Sequence, residues 1–334
     1  MTTNLADTML AARYPTSGPG AGAIRVERVE RPRPGRGEVL VAVAVSGVNP
    51  TDWKARASGA SDGPAWVIPN QDGAGVIAAV GDAVAPERVG ERVWLWQVQW
   101  QRASGTAAEY VALPATQAVA LPEGASLDLG AGLGIPAMTA HRCLFADGPL
   151  GPTDHVLVQG GAGAVGHAAI TLARRAGARV AATVSSPEKA ALAAAAGAEP
   201  VIDYRREDVA ARILDWAPGG VARIVEVDLA RNLTHDAAIL ASGGAIVVYA
   251  ATTEPARVPR ELMVANARIA FMLVYTMPAD AKQAAVTDIT AALNEGALSQ
   301  LPATRFALAE TAAAHDAVQS GALGRVLIDV ASPG

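Results

Sequence analysis

The chain has 334 residues and a formal net charge of −5, and 51% of its residues are hydrophobic against 18% that are charged. These proportions exclude a disordered chain, and the single cysteine excludes an intrachain disulfide framework and a multi-cysteine zinc site. An acidic chain without a basic cluster lacks the basic face that nucleic-acid binding requires, so no nucleic-acid partner is expected.

The length predicts two domains, and the first of them is β-rich. Short runs of β-branched residues at 38–48, 75–81 and 91–100 are separated by clusters of Gly, Pro and Asp that are typical of turns. A helical segment is predicted within 127–145, and the pattern changes after it.

From residue 155 onward, apolar strand candidates alternate with helical segments. Strands that are apolar throughout, alternating with helices, predict a parallel sheet covered on both faces. The predicted strands span 155–160, 178–185, 200–204, 222–229 and 244–250, and the helices 167–177, 187–197, 207–216 and 231–242.

The last part of the chain returns to the character of the first. It contains a further apolar strand at 268–275, a helix at 281–295 and two strand-like runs around 305–308 and 325–330. Since this tail resembles the β-rich head, we expect the α/β region to be inserted within the β-rich domain.

A glycine-rich turn follows the first strand of the α/β region. Gly161, Gly163 and Gly166 have the spacing G-x-G-x-x-G, with Ala164 and Val165 between the last two. Such a turn lets the backbone approach a pyrophosphate and begins a helix whose first N–H groups bind phosphate. Because it follows an apolar strand and begins a helix, it predicts a dinucleotide site rather than a plain βα turn.

The end of the second strand indicates which dinucleotide binds. NAD enzymes place an Asp or Glu there to hold the ribose 2′-hydroxyl, whereas residues 183–186 of this chain read TVSS and precede Lys189. A hydroxyl such as that of Ser185 and a cation suit a 2′-phosphate. Tyr204, at the end of the third strand, could add a phenolic hydrogen bond. The sequence therefore favours NADP(H), with a solvated surface lysine as the alternative for Lys189.

Several segments, taken in order, resemble one family along nearly the whole chain. Besides the helix that carries Lys189, they are 46–56, 68–84, 90–94, 105–115, 133–144, 156–166, 197–208 and 314–330. Together they are similar to the medium-chain dehydrogenase/reductase superfamily, in its zinc-free quinone oxidoreductase (zeta-crystallin-like) branch.

The resemblance implies an α/β protein in which a Rossmann domain, a doubly wound parallel sheet, is inserted between the head and tail of a GroES-like β-barrel domain. The expected bounds are 1–126 plus 276–334 for the barrel domain, which carries the substrate and catalytic groups, and 127–275 for the NADP(H)-binding domain. The resemblance also implies a homodimer joined through strand 268–275.

The resemblance further assigns residues to the site. It implies that Asn49 and Thr139 lie beside the nicotinamide, with Ala250 as a further cofactor contact and Asp52 in the same VNPTD turn as Asn49. Tyr110 either lines the cleft or packs in the barrel, and the Asn-Pro-Thr-Asp sequence has a capped turn as its simpler interpretation. The candidate catalytic residues are thus Asn49, Asp52 and Tyr110, and no proton donor is identified.

No catalytic metal is expected. Zinc members of the superfamily use a Cys, a His-Glu pair and a further ligand, but this chain has Asn49 and Asp52 in the first ligand region and Gln71-Asp72 in place of His-Glu. None of the five histidines has a ligand spacing. Without a Lewis acid an ordinary ketone accepts hydride poorly, so we expect a substrate that is already electrophilic, such as a quinone or an α,β-unsaturated carbonyl.

Tryptophans near the expected cleft are candidates for the substrate pocket. Trp94 and Trp96 alternate on a predicted strand, so their indoles share one face, and Trp100 follows in a loop. Trp53, Trp96 and Trp100 could stack on a flat substrate, with packing in the barrel core as the alternative.

The function that the sequence favours is an NADPH-dependent oxidoreductase that transfers hydride to a quinone or an α,β-unsaturated carbonyl without metal. The alternatives are a pathway-specific enoyl or ketone reductase of specialised metabolism and a non-catalytic NADPH-binding protein. The sequence has no secretory signal and no apolar segment long enough for a bilayer, so a cytoplasmic protein without a membrane partner is expected.

Overall fold

The structure, a computed structural model, describes residues 7–18, 22–59, 64–251 and 254–330. Residues 1–6, on which the expectation of no secretory signal rests, lie outside the described residues. The helices, in chain order, are α1 (Pro50–Ser58), α2 (Leu127–Ala131), α3 (Gly134–Phe145), α4 (Ala164–Arg175), α5 (Pro187–Ala195), α6 (Val209–Trp216), α7 (Leu229–Ile239), α8 (Arg260–Val264), α9 (Ala279–Asn294) and α10 (Thr311–Gln319).

The strands fall into an early group, a middle group and two at the end of the chain. The early strands are β1 (Thr8–Pro15), β2 (Arg25–Glu30), β3 (Glu38–Val48), β4 (Trp66–Val67), β5 (Asp72–Val80), β6 (Arg92–Leu95), β7 (Tyr110–Pro114) and β8 (Ala118–Ala120). The others are β9 (His155–Val158), β10 (Arg179–Val184), β11 (Val201–Asp203), β12 (Val221–Glu226), β13 (Leu240–Val248), β14 (Arg268–Phe271), β15 (Ala303–Ala307) and β16 (Arg325–Asp329).

The chain divides into two compact units. The outer unit comprises Met1–Ile135 and Gln300–Gly334, and the middle unit comprises Pro136–Ser299. These bounds differ from those expected, since 127–135 joins the outer unit and 276–299 the middle unit. The reason is packing: α2 contacts β3, β5 and β6 of the outer unit, whereas α9 is bonded to α3 and α4 of the middle unit by the pairs His141–Asp288 and Arg175–Glu295.

The middle unit is a parallel six-stranded sheet flanked by helices. Its strand order is β11-β10-β9-β12-β13-β14, and every neighbouring pair is parallel. Apolar side chains such as Leu157, Ile202 and Ile224 are fully buried in its core. The helix starts follow local signals, because Ser186 caps α5 with its hydroxyl and Pro187 occupies the first helical position.

The outer unit is built from two sheets. One is three-stranded with the order β2-β1-β4, and the other has the order β15-β16-β3-β5-β6-β8, with β7 paired to β3. Burial alternates along β7, as expected for a strand with one face on the core. The core between the sheets is rich in valine, including Val41, Val93 and Val111.

Three predicted elements differ from the structure. The run 91–100 is a strand only over β6, because the chain turns at Gln97, whose φ is +55°. The segment 127–145 forms two helices, α2 and α3, since α2 ends at Gly132. The predicted strand 268–275 stops at Phe271 and a 3₁₀ turn follows at Val274–Thr276.

None of the helices that the structure describes has both the length and the apolar character needed to cross a bilayer.

Candidate functional site

The glycine-rich turn of the middle unit has positions that only glycine fits. After β9 the chain turns through Gly160, whose φ is +72°, and enters α4 at Ala164. A Cβ on Gly161 would lie 2.6 Å from the Cβ of Ala182 on the adjacent strand, and one on Gly166 would lie 2.3 Å from the Gly160 carbonyl oxygen. Tight strand–helix packing therefore requires these two glycines.

The third glycine of the motif leaves space for a ligand. Gly163 is the N-cap of α4, and a Cβ there would have one neighbour within 4 Å, the Gly160 carbonyl oxygen at 3.4 Å. No described side chain caps this helix. The first-turn N–H groups of Ala164, Val165 and Gly166, together with the positive end of the helix dipole, fit a pyrophosphate.

Ser185, Lys189 and Tyr204 lie together at the carboxyl edge of the sheet. Lys189 Nζ donates to Ser185 Oγ at 3.1 Å. The Tyr204 N–H donates to the Val184 carbonyl at 3.2 Å, which places this residue beside Ser185, and its side chain is 52% exposed. The bonded hydroxyl and ammonium groups of Ser185 and Lys189 suit the 2′-phosphate of NADP(H), and Tyr204 follows the neighbouring strand.

A cavity of about 470 Å³ opens at the same edge, outside the ends of β9 to β12. Its lining includes Gln159, Thr183, Tyr204 and Asn232. In open parallel sheets ligands bind outside the carboxyl ends of the strands where the chain order reverses, and here β9 lies between β10 and β12. The cavity therefore has the position of a nucleotide site.

The side chains that line this cavity are anchored to two buried carboxyl groups that the sequence interpretation missed. Glu226 ends β12 and Asp236 lies on α7, and both are fully buried. Asn232 donates to the two carboxyl oxygens of Glu226 at 3.0 and 3.2 Å. Gln159 Nε2 donates to Asp236 at 2.9 Å, and the Thr183 hydroxyl donates to Gln159 Oε1 at 2.7 Å.

Burial, and next the charge of the neighbouring Glu226, raise the pKa of Asp236 well above its usual range. A carboxyl at the end of an otherwise apolar strand was the sequence signal that could have indicated Glu226. Asp236 had no such signal, because the fold alone brings α7 against the strand end.

Thr139 and Ala250 belong to the middle unit. Thr139 is buried within α3. Ala250 follows β13 and is half-buried, and the Tyr249 N–H before it donates to the Glu226 carbonyl at 3.1 Å. Ala250 thus lies at the sheet edge where the cavity opens, as a cofactor contact would.

In the outer unit, the VNPTD turn is part of a buried polar network. Asn49 caps α1, its Nδ2 donates to Asp72 at 2.7 Å, and its Oδ1 accepts from Arg325 Nη1 at 3.0 Å. Asp52 accepts the Asn49 N–H at 2.7 Å, and the Ile135 N–H donates to the second oxygen of Asp72 at 2.8 Å. The capped turn that the sequence allowed for Asn49 and Asp52 is therefore present.

Strand register brings this network together. Asn49 follows β3, and β3 lies between β5 and β16. Gly47 is paired with Asp72 on one side, and Val48 with Val326 on the other. The residues next to these pairs converge at one end of the sheet, although Asn49 and Arg325 are 276 positions apart.

Burial dominates the electrostatics of the network. Burial raises the pKa of Asp72 to about 6, although Arg325 and the Asn49 amide lower it in part. Burial likewise raises the pKa of Asp52 well above its usual range, and it lowers the pKa of Arg325. Arg325 Nη2 lies 3.8 Å from Asp72 Oδ2 and is the positive charge that compensates these carboxyl groups.

Tyr110 is not brought to this network. It begins β7 and is paired with Ala42, seven residues before Asn49 along β3, or about 23 Å of extended strand. Its ring packs against the barrel core, and the Arg31 guanidinium lies 5.3 Å from the ring centroid. This geometry favours the packing alternative for Tyr110.

The tryptophans divide by burial. Trp94 is fully buried and Trp96 is 7% exposed, just past the end of β6, so core packing accounts for both. Trp53 on α1 and Trp100 in the loop after β6 are half-buried, and Lys54 Nζ lies 5.7 Å from the Trp53 ring centroid. Trp53 and Trp100 thus have the exposure that contact with a substrate needs.

The donor set of the outer unit does not fit zinc. Asn49 and Asp72, in the region of the zinc ligands, are engaged with each other and with the Arg325 guanidinium. Across 7–18, 22–59, 64–251 and 254–330, no three His, Cys, Asp or Glu side chains form a group that could hold a metal ion.

Comparisons with known proteins agree with this architecture. The model of the alcohol dehydrogenase GroES-like domain matches residues 35–123, and that of the zinc-binding dehydrogenase domain matches 164–290. Both describe domains of dehydrogenases, one in each unit.

Relatives and solved structures indicate which group of dehydrogenases the chain resembles. Quinone oxidoreductase of Rattus norvegicus is 30% identical over 301 residues, which cover 89% of this chain and 90% of the relative. A solved mycobacterial quinone oxidoreductase is 28% identical with a TM-score of 0.81, and a mycobacterial structure complexed with NADPH is 27% identical with the same TM-score; each alignment covers 96% of this chain and 99% of the other.

The chain therefore belongs to the medium-chain dehydrogenase/reductase superfamily, in the branch of the zinc-free quinone oxidoreductases. This confirms the expected fold, a Rossmann domain combined with a GroES-like domain, and the expected class of oxidoreductase.

Proposed function

We propose that the protein is an NADPH-dependent oxidoreductase that reduces a quinone or an α,β-unsaturated carbonyl compound without a metal ion. The observation that carries this proposal is the buried network of Asn49, Asp72 and Arg325. Its polar groups bond to one another instead of forming a metal-ligand set. The substrate must then be electrophilic without the help of a Lewis acid.

The middle unit supplies the proposed cofactor site. The first-turn N–H groups of α4 bind the pyrophosphate, with Gly161, Gly163 and Gly166 allowing its approach. The cavity at the sheet edge takes the adenosine half, and Ser185, Lys189 and Tyr204 hold the 2′-phosphate. Bound NADPH supplies the hydride. Similarity to a mycobacterial structure complexed with NADPH supports this assignment.

The outer unit carries the proposed catalytic residues. Asp72 and Arg325 fix both ends of the Asn49 amide, and Asp52 fixes its backbone, so the Asn49 turn is rigid. Preorganised groups of this kind orient a substrate without reorganising during the reaction. We propose Thr139 and Ala250 as further cofactor contacts.

Binding and turnover test the proposal directly. The purified protein is titrated with NADPH and with NADH, and the absorbance of the reduced nicotinamide is followed with a panel of quinones and enones, with and without a chelator. We expect tight NADPH binding and oxidation that chelation leaves unchanged. Tight binding without turnover on the panel would favour the non-catalytic alternative or a dedicated substrate outside the panel, and turnover on quinones alone or on enones alone would decide between the two proposed substrate classes.

The 2′-phosphate site gives a sharper test. Lys189→Glu removes a charge-assisted hydrogen bond and adds repulsion, so we expect NADPH affinity to fall about 100-fold and NADH affinity to change less than about threefold. Lys282→Glu, which makes the same charge change in the same unit outside the cavity, serves as the control. Equal losses for both nucleotides in Lys189→Glu would contradict the proposed phosphate site.

We also propose a homodimer joined along β14. Within the described chain, β14 is the edge of the parallel sheet and pairs with β13. Phe271 on this strand and Met263 on the adjoining α8 are 75% and 77% exposed. A strand edge beside exposed apolar side chains is the kind of surface that a second copy can cover.

Light scattering after size exclusion tests the dimer. We expect a dimer for the natural protein and a monomer for Phe271→Glu, because the charge would be desolvated at the interface. Leu323→Glu replaces an exposed apolar residue of the outer unit and should remain a dimer. An unchanged mass for Phe271→Glu would place the interface elsewhere.

A further inference from the structure

The segment 96–102, which we call the 96–102 loop, has a strained backbone. Gln97 and Gln101 have φ angles of +55° and +58°, in the left-handed region that residues other than glycine rarely adopt. Such conformations persist when surrounding contacts hold them, and they are concentrated at functional sites. The side chains of Gln71 and Gln117 provide contacts that hold this loop.

The side chain of Gln71 holds the centre of the loop. Its Oε1 accepts the backbone N–H groups of Gln99 at 3.0 Å and Trp100 at 2.9 Å, and its Nε2 donates to Gln99 Oε1 at 2.9 Å. Gln71 is buried, and its own carbonyl accepts the Val98 N–H at 3.0 Å. One buried amide therefore fixes two successive backbone N–H groups, those of Gln99 and Trp100. The strained residues Gln97 and Gln101 lie on either side of them.

A second amide holds the ends of the loop. Gln117 accepts from Arg102 Nη2 at 2.5 Å and donates to the carbonyls of Trp96 and Gln97 at 3.2 Å each. The loop is thus bonded at its beginning, centre and end to two buried side chains of the barrel.

The loop forms one wall of a cavity of about 490 Å³ that lies within the outer unit. Gln99, Gln101 and Arg102 contribute from the loop, and the end of β1, the C-terminal part of α1 and the segment that contains Pro64 and Val67 form the remaining walls. The same helix α1 begins at the Asn49 turn. The cavity volume is in the range of small-molecule sites, and the apolar and aromatic side chains of its lining, among them Tyr14 and Val67, suit a large flat ligand.

We propose that Gln71 is a positioning residue: it fixes the 96–102 loop as the wall of a substrate subsite in this cavity and so favours large polycyclic quinones over small ones. The proposal rests on the proposed reductase function. Gln71 acts through the loop and does not itself touch the reacting atoms.

Amide hydrogen exchange tests, without any turnover, whether Gln71 fixes the 96–102 loop. Gln71→Leu keeps the side-chain size but removes three hydrogen bonds, so the amides of Gln99 and Trp100 should exchange about tenfold faster. The control is Arg92→Met, because Arg92 donates three hydrogen bonds to carbonyls of the separate turn at 122–125. Unchanged exchange at 99 and 100 in Gln71→Leu would overturn the role of Gln71.

Substrate kinetics test whether Gln71 favours large quinones over small ones. In Gln71→Leu we expect KM for 9,10-phenanthrenequinone to rise about tenfold, a much smaller rise for 1,4-benzoquinone, and an unchanged Kd for NADPH. Arg92→Met should leave the ratio of the two KM values unchanged. A shift of both quinones by the same factor, or the same shift in Arg92→Met, would overturn the specificity role.

The two tests separate this proposal from the proposed function. If the natural protein oxidised NADPH with no quinone and no enone, the proposed reductase function would fail, and the substrate role of Gln71 would fail with it. Oxidation with enones alone would overturn only the quinone selectivity assigned to Gln71. The exchange measurement would still decide whether Gln71 fixes the loop.

Discussion

The polar sites of the two units are built in opposite ways. In the middle unit, the proposed phosphate site is formed by backbone N–H groups within the six residues from Gly161 to Gly166. In the outer unit, the buried network consists of side chains, and its members Asn49 and Arg325 are 276 positions apart. The first site depends on the absence of side chains and the second on their pairing, so substitutions should affect them differently.

Removal of one partner from the side-chain network should have the largest effect. Arg325→Met leaves Asp72 and Asp52 buried without a compensating charge, so we expect the free energy of unfolding to fall by about 3–5 kcal/mol. Chemical denaturation followed by circular dichroism measures this change.

The matched control for this substitution is an exposed arginine. Arg305 pairs with Asp128 and Asp329 and is 41% exposed, and its substitution by Met should cost only about 0–1 kcal/mol. Adding Asp72→Asn to Arg325→Met should recover part of the loss, because a neutral amide replaces the unpaired carboxylate. Equal losses in Arg325→Met and Arg305→Met would show that the network is not a buried charge pair.

The glycine turn offers a pair of substitutions within one motif. Gly166→Ala brings a Cβ to 2.3 Å from the Gly160 carbonyl, so we expect a loss of about 1–3 kcal/mol in stability. Gly163→Ala meets that carbonyl at 3.4 Å and should leave stability within about 0.5 kcal/mol, while NADPH affinity falls about tenfold because the Cβ occupies the side open to phosphate. Thermal unfolding and fluorescence titration measure the two effects; an unchanged NADPH affinity in Gly163→Ala would contradict the proposed pyrophosphate position.

The smallest effect that we expect is the pH dependence that the Asp72 carboxyl gives to the free energy of unfolding. Burial raises its pKa to about 6, so the folded protein holds this proton where the unfolded chain, with an ordinary Asp pKa of about 4, has released it. The folded state binds more protons between these values, and the free energy of unfolding contributed by this group therefore decreases by roughly 1–2 kcal/mol as pH rises from about 4 to about 6.

Comparison with Asp72→Asn isolates this contribution from the other carboxyl groups. Denaturation of both proteins across this pH range should show the decrease in the natural protein alone. A difference between them that does not change with pH would mean that Asp72 has no raised pKa.

Local patterns in the sequence predicted the middle unit well. The order of the predicted strands and helices and the glycine turn are present, since each depends on neighbours within one turn or one strand. The predicted boundaries differ more at β6 and β14. There, apolar runs continue past the strand, because the left-handed turn at Gln97 and the 3₁₀ turn after Phe271 are not visible in hydrophobicity.

Side chains that meet across the fold were predicted less well. The sequence analysis named Asn49 and Asp52 as candidate site residues but did not name Arg325. A basic residue at the start of a C-terminal strand has no local feature that indicates a partner at position 49. For Tyr110 the sequence left two alternatives open, lining the cleft or packing in the barrel, and its register opposite Ala42, far from the Asn49 turn, favours packing.

The class of the fold and the dinucleotide motif could be predicted from the sequence alone, because hydrophobic periodicity and glycine spacing act over a few residues. The tertiary structure alone brings Asp72 against the compensating charge of Arg325, and it places the two carboxyl groups of Glu226 and Asp236 close enough for one to raise the pKa of the other. It also decided that Gln71 fixes the 96–102 loop. The physical reason is the same in each case: strand order and register, not sequence proximity, set which side chains lie within hydrogen-bond distance.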